Sequence, residues 1–265
     1  MKRNAKRKRG LLPILFLCIC LITGILAAYM VWQELQDEAI QTKLEEDTIE
    51  TYVEEPVNEP VPGPNEDNGS DGYVFDWNSL LAMNPEVIGW IRFDNPDRIN
   101  YPIVQGTSNQ KYLTRNWMGG YSSSGSIFLH KANDPAFTDQ NSILYGHRMI
   151  SGAMFGDLKQ YRDQSYLDAN PYFYIYTPDG MKRTYEIYLY AQVEDASDAY
   201  SLSFDSAEEK NTYFDKMKSR AITSRDVGLD EYDTIVTLST CANYGYYNRI
   251  VVQGKLISIE INQQP

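Results

Sequence analysis

A thiol, an imidazole and a guanidinium are the groups in this sequence equipped to break and remake an amide bond. Cys241 is the one cysteine outside the apolar N-terminal stretch. It ends the run 233–241, Asp-Thr-Ile-Val-Thr-Leu-Ser-Thr-Cys, which reads as a buried strand that stops at a thiol. If the N-terminal stretch is a membrane anchor, the rest of the chain lies in an oxidising space, where cysteines are normally paired. Cys18 and Cys20 lie inside the apolar stretch, so Cys241 is without a partner. A lone thiol there is either a small buried hydrophobe or a reagent.

Arg249 opens the next apolar run, 249–261, after the seven-residue connection Ala-Asn-Tyr-Gly-Tyr-Tyr-Asn. That connection is long enough to reverse direction, and facing residues of the resulting antiparallel pair have Cβ atoms roughly 5 Å apart. The guanidinium then stands beside the thiol, where its fixed donors can hold a carbonyl oxygen while sulfur attacks the carbon. The reaction also needs a proton carrier, and the chain has two histidines. His147 follows the apolar run 141–146, and His130 follows the run 125–129, so position alone does not decide between them. The bland readings stand beside these: an Arg opening a strand is most often a solvated charge, Cys241 could be a core residue, and His147 a satisfied polar group. On those readings the chain is a non-catalytic membrane-tethered wall-binding β-barrel.

From about Tyr73 the composition is that of a folded domain just under two hundred residues long, enough for one substantial core. Apolar, β-branched runs at 87–93, 99–104, 126–129, 141–145, 172–176, 185–193, 234–241 and 249–261 are separated by Gly, Pro, Asn and Asp. Short strands in that rhythm predict a closed barrel or a sandwich. Asp76 is placed to cap a short helix over 77–83. A capping box, Ser206-Ala-Glu-Glu209, begins a second helix, with Phe214, Met217 and Ala221 along one face.

The N-terminus sets the compartment. Six basic residues among the first ten precede an apolar run over 11–32, as long as the roughly 20 residues that span a bilayer. No Lys or Arg follows until Lys43, an asymmetry that keeps residues 1–10 as a basic cytoplasmic tail and sends the rest outward. The run is too long for a usual signal-peptide core, and 25–28 is a poor cleavage site. Residues 34–71 hold thirteen acidic side chains against Lys43 alone, and the Pro-rich part from 54 onward cannot bury enough surface to fold. Residues 33–72 are therefore expected to be an acidic extracellular stalk, holding a domain at 73–265 some tens of Å off the membrane. Leu35, Ala39, Ile40 and Leu44 have a spacing compatible with continuation of the membrane helix. The formal net charge is −12, which excludes nucleic acid as a partner.

The segments Gly89-Trp-Ile, Tyr101-Pro-Ile-Val-Gln-Gly, Gly125-Ser-Ile-Phe-Leu, Ile143-Leu-Tyr-Gly-His147-Arg-Met, Met154-Phe-Gly-Asp-Leu and Thr237-Leu-Ser-Thr-Cys241, in this order, resemble a class B sortase. The resemblance runs from about Tyr73 to the C-terminus. It implies a closed eight-stranded β-barrel with an N-terminal helix and a helix inserted between late strands. It also implies a catalytic set of His147 as acid/base, Cys241 as nucleophile and Arg249 as oxyanion or substrate clamp. Asn109, Leu113 and Ser239 match positions associated with the substrate groove, and His130 becomes a rim or packing residue. No acidic residue directly follows Cys241, a departure that bears on the acceptor side.

The implied function is a cysteine transpeptidase of the cell membrane that cleaves the C-terminal sorting signal of surface proteins after Thr. It holds the protein as a thioester and transfers it to an amine of the cell-wall precursor, or alternatively to a pilin amine. No metal or organic cofactor is expected, since no Cys/His cluster has ligand spacing. A papain-like order is excluded because His precedes Cys, and the Ser-x-Gly-Cys block of L,D-transpeptidases is missing.

Overall fold

Residues 11–55, 72–241 and 248–262 are described by the structure, a computed structural model. The chain begins with helix α1 (Leu11–Tyr52), strands β1 (Val53–Glu54) and β2 (Val74–Phe75) and helix α2 (Trp77–Met83). Strands β3 (Val87–Phe93), β4 (Asn100–Val104), β5 (Ile127–Leu129) and β6 (Asn141–His147) follow, then helix α3 (Gln164–Ala169). Strands β7 (Tyr172–Thr177) and β8 (Met181–Glu194), helix α4 (Ala207–Ser219), and strands β9 (Ala221–Ser224), β10 (Ile235–Cys241) and β11 (Asn248–Ile261) complete it.

The eight apolar runs are the eight staves of one barrel. Hydrogen bonding runs β11-β10-β6-β5-β4-β3-β7-β8, and β8 pairs again with β11 to close the ring. Closure leaves no edge in the ring and decides for a barrel over a sandwich. Strand β9 hangs outside it on β8. Two pairings are parallel, β4 with β5 and β6 with β10.

Period-two alternation sorts each strand between two environments. Ile91, Phe93, Tyr101, Ile103, Leu144, Val236, Leu238 and Val252 share the interior with Phe155 and Phe173. Their neighbours face outward into two further clusters. One gathers Trp90, Val104, Phe128 and Tyr176 with Leu80 of α2 and Val53 of β1. The other packs Ile235 and Val251 against Tyr213, Phe214 and Met217 of α4.

The caps behave as the sequence predicts. The Asp76 carboxylate accepts from the Ser79 N–H at 3.0 Å, and the Ser206 hydroxyl from the Glu209 N–H at 3.1 Å. Glu209 reaches back to the Asp205 N–H at 2.8 Å, completing a device whose loss costs about 1 kcal/mol. Ala221, expected on the α4 face, instead opens β9, because the helix ends at Ser219 and Arg220 is its C-cap.

Of the segment expected to be a stalk, residues 33–55 are described, and they continue helix α1 and enter β1. Helix α1 continues without a break from the apolar run to Tyr52, long and apolar enough to cross a membrane by length and composition. Its last turns lie on the barrel, with Gln41, Thr48 and Val53 buried. Eight residues of helix lie between Trp32 and Gln41, so nine rises of 1.5 Å set the two about 14 Å apart. The Pro-rich stretch 56–71 falls outside the described residues, but its two ends are joined by the antiparallel β1–β2 pair, Val53 opposite Phe75 and Glu54 opposite Val74.

Glu45 sits in this interface, lining a small cavity with Leu44, Trp90, Tyr101, Trp117 and Met154. Tyr101 hydrogen-bonds its carboxyl, while Oε1 has no partner among the described residues. Burial pushes Glu45 up to about 8, against the lowering effects of the Tyr101 bond and the nearby Arg98 charge and with a small push from Glu46. The docked helix therefore holds the proton more tightly than an undocked one. Docking is strongest below the ordinary carboxylate range and weakens as pH rises to about 8, at roughly 1.4 kcal/mol per pH unit as an upper bound. Hydrogen exchange of the α1 amides 41–52, corrected for intrinsic rates, should show protection falling over that window. In Glu45→Gln the fall should disappear, and an unchanged slope would contradict this assignment.

Candidate active site

Strands β6 and β10 run parallel in unbroken register, from Asn141 opposite Ile235 to His147 opposite Cys241. Paired residues on neighbouring strands project to the same face. Leu144 is inside the barrel, so by alternation His147 stands on the outer face at the end of β6, with Cys241 as its main-chain partner at the end of β10. The two histidines are placed differently. His130 follows β5 and its N–H bonds the Ile143 carbonyl, four residues of strand short of His147, or about 13 Å.

Register here is held by side chains as well as by the ladder. At the start of the pair, the Thr237 hydroxyl donates to Asn141 Oδ1 at 2.8 Å, and Gln253 Nε2 donates to Thr237 Oγ1 at 2.9 Å and to the Tyr213 hydroxyl at 2.6 Å. Tyr188 donates to Gln253 Oε1 at 2.8 Å. All five side chains are buried, so a slip would strand their polar atoms without water, at about 1–3 kcal/mol each.

Arg249 is the second residue of β11 and is half-buried. The antiparallel β10–β11 register reaches Ser239 opposite Val251, and Thr240 and Ile250 are tied by the Ile250 N–H bond to Thr240 Oγ1 at 3.2 Å. Two residues further along the same count, Arg249 comes opposite Cys241. The histidine-, cysteine- and arginine-bearing ends of three adjacent strands thus meet at one rim.

The His147 ring is held from the side. Its Nε2 lies 2.8 Å from the main-chain oxygen of Leu113, which belongs to a 3-10 turn at Lys111–Leu113. A carbonyl only accepts, so Nε2 carries a proton and Nδ1 is the nitrogen left to exchange protons. The His147 carbonyl accepts from the Phe155 N–H at 2.9 Å.

Of the expected groove residues, Ser239 is buried and its Oγ lies 2.8 Å from the Tyr200 hydroxyl. Leu113 reaches the site through its main chain while its side chain packs in the α2 cluster. Asn109 is more remote: Oδ1 accepts from the Lys131 N–H at 2.8 Å, tying its loop to the end of β5 beside His130. His130 packs at 6.1 Å from the Tyr145 ring, and its Nδ1 accepts from the Ala132 N–H. Burial, with the Lys131 charge, holds its pKa below the ordinary imidazole range.

Two aromatic residues were not singled out from the sequence. Tyr145 shares the outer face of β6 with His147, two residues earlier, and its ring stacks on Tyr200 at 6.2 Å and on Phe128 at 5.2 Å. Period two could have flagged Tyr145, whereas Tyr200 arrives from a distant 3-10 turn with no local signal. Tyr145 and Tyr200 lie side by side, and the Tyr200 hydroxyl reaches Ser239 of β10. Among the described residues no group of three His, Cys, Asp or Glu side chains is arranged to hold a metal.

The sequence profile of one protein family, described as a sortase domain, matches residues 93–257. The sortase B of Listeria monocytogenes is 30% identical over 238 residues, covering 88% of this chain and 92% of that protein. The crystal structure of sortase B from B. anthracis in complex with AAEK1 superposes with a TM-score of 0.69 at 28% identity, covering 84% of this chain and 99% of that one. The Staphylococcus aureus sortase B–substrate complex gives a TM-score of 0.64 at 28% identity over 68% of this chain and 83% of that one.

Gly146 faces inward immediately before His147. A Cβ there would sit 2.5 Å from Ile127 Cδ1 and 2.7 Å from Phe155 Cδ2. Gly146→Ala must therefore push β6 or Phe155 aside, at a cost of about 1–3 kcal/mol. Calorimetry should find Tm lower by roughly 2–12 °C, with turnover reduced as His147 moves. An unchanged Tm would show that the interior yields more easily than these contacts imply.

Proposed function

The chain belongs to the sortase family, in its class B, and on that premise we propose that this enzyme cleaves the sorting signal of surface proteins after Thr and passes the new carboxyl end to an amine. The observation that carries the assignment of roles is the pairing of His147 with Cys241 across β6 and β10. The Cys241 thiolate attacks the carbonyl carbon of the signal's Thr, forming a C–S bond and a tetrahedral oxyanion beside Arg249. A guanidinium stays charged at any ordinary pH and presents fixed donors to that oxygen. As the intermediate collapses, the C–N bond breaks and His147 gives its Nδ1 proton to the departing amine. What remains is a thioester on Cys241.

Outside the membrane no nucleotide is at hand to drive amide synthesis, so the new bond must inherit the energy of the old one, and the thioester stores it. The acceptor amine attacks the thioester carbon, loses a proton to His147, and expels the Cys241 thiolate. The paired rings of Tyr145 and Tyr200 are the surface along which the peptide is proposed to lie, and a related sortase B is known in a substrate complex. The acceptor we propose is the amine of the cell-wall precursor. Residues 11–32 are proposed as a single-pass anchor with the basic N-terminus in the cytoplasm and the barrel outside, following the distribution of Lys and Arg.

The test is cleavage of a quenched library of sorting-signal peptides by the full chain in nanodiscs, with and without an amine acceptor. Cys241→Ala and His147→Ala should abolish turnover. Arg249→Ala should lower kcat/KM by about 10²–10³ and Arg249→Lys should recover only part of it. Hydroxylamine-sensitive acyl mass should appear on Cys241. Cleavage that persists in Cys241→Ala would overturn the proposal.

The pH profile of acylation gives a second check. An unperturbed imidazole titrates near ~6.5 and a thiol near ~8.5, and the reactive form is thiolate with imidazolium. The rate should be bell-shaped, and a rate flat from about pH 5 to 10 would contradict the scheme.

A further inference from the structure

The end of α1 and the imidazole of His147 are linked by a short succession of contacts through one segment of main chain. Thr48 donates its hydroxyl proton to the Leu44 carbonyl at 2.6 Å, which leaves the oxygen's lone pair to accept from Trp117 Nε1 at 3.3 Å. Tyr52, one turn on, meets the same indole edge to face at 5.7 Å. Trp117 is buried, and its carbonyl accepts from Asn84 Nδ2. That amide also donates to the Tyr112 hydroxyl at 2.9 Å, and Tyr112 donates in turn to Glu86 Oε2 at 2.6 Å. Burial would raise the Glu86 pKa, but the bonds from Lys111 and Tyr112 outweigh it and hold this carboxylate below its ordinary range. The segment 112–117 is thus clamped at both ends. Between them the Leu113 carbonyl points at His147 Nε2.

A third constraint acts at Leu113 itself. Gly125 has φ +63°, and a Cβ there would lie 2.5 Å from the Tyr112 oxygen and 2.7 Å from the Leu113 oxygen. The Ser126 N–H also bonds the Tyr112 carbonyl at 3.0 Å. The main chain of 112–113 is pressed against β5 from one side and leaned on by α1, through Trp117, from the other.

We propose that the juxtamembrane end of α1 is part of the frame that orients the catalytic imidazole, with Thr48, Tyr52 and Trp117 as positioning residues that act through the Leu113 carbonyl. The proposal rests on the reading of His147 as the proton carrier. A free imidazole exchanges between two tautomers and turns about its χ angles, and only the Nε2–H form presents Nδ1 to the thiol and leaving amine. The Leu113 carbonyl selects that form. Loosening 112–117 by a fraction of an ångström costs rate without altering the surface proposed to bind the peptide.

The chain in nanodiscs, labelled with ¹⁵N-histidine, tests this directly, since it contains two histidines and His130→Gln assigns the second ring. Thr48→Val removes the acceptor for the indole N–H, Tyr52→Ala removes the edge-to-face support, and Tyr52→Phe keeps the ring. In Thr48→Val and Tyr52→Ala, kcat should fall by about 10-fold with KM within about twofold, in line with the cost of small misplacements. The His147 nitrogens should lose the separation that marks a dominant Nε2–H tautomer, and Tyr52→Phe should retain both kcat and the separation.

Unchanged His147 shifts with unchanged kcat would overturn the proposal. So would a lower Tm accompanied by a rise in KM alone, since that is the mark of a merely structural helix. Activity surviving in His147→Ala would instead overturn the underlying reading of His147. The two failures are therefore told apart.

Discussion

The parallel ladder between β6 and β10 is the constraint on which the site depends. The two strands are far apart in sequence and carry, at corresponding ends, an imidazole and a thiol that neither strand could bring together alone. Because side chains alternate with period two, a slip of one residue would turn one of the two groups into the barrel interior. The network of Asn141, Thr237, Gln253, Tyr213 and Tyr188 lies at the opposite end of the same ladder and is satisfied only in this register. Buried polar groups of this kind add specificity beyond what apolar packing supplies. β11 then returns along β10 and carries Arg249 to the same rim. Chemistry at one end of the strands is thus set by hydrogen bonding at the other.

Much of this was legible because barrel strands are short, apolar and bounded by turn residues. All eight runs read from the sequence became staves, and the caps at Asp76 and Ser206 form as their residue types predict. The choice between His130 and His147 was not legible from position, since both end apolar runs and only the register of β10 separates them. The Leu113 carbonyl could not be foreseen either, because a main-chain acceptor leaves no mark in residue type. Tyr200 was hidden for a different reason: its place over Ser239 depends on how a distant loop lies on the barrel.

The approach to the barrel was legible only in part. Proline and acidic residues argue against a folded core in 54–71, a stretch mostly outside the described residues, but composition says nothing about where the ends of a segment are fastened. Two residues of β-ladder, with Phe75 and Tyr176 packed behind them, fasten both ends to the flank of the domain. The connection from the apolar run to the barrel is then continuous helix. The far end of that helix leans on Trp117, at one end of the segment that carries the Leu113 carbonyl to His147.

The most direct measurement is a disulfide formed between the two paired positions. In His147→Cys, with Cys18 and Cys20 changed to Ser, mild oxidation should link residue 147 to Cys241 rapidly and almost completely, as register partners on adjacent strands lie within the roughly 4.4–6.8 Å Cα span that a disulfide needs. Peptide mapping should find that link, and Tyr145→Cys in the same background should form it slowly or not at all. Failure of position 147 to link, or a preference for position 145, would contradict the register on which the site is built.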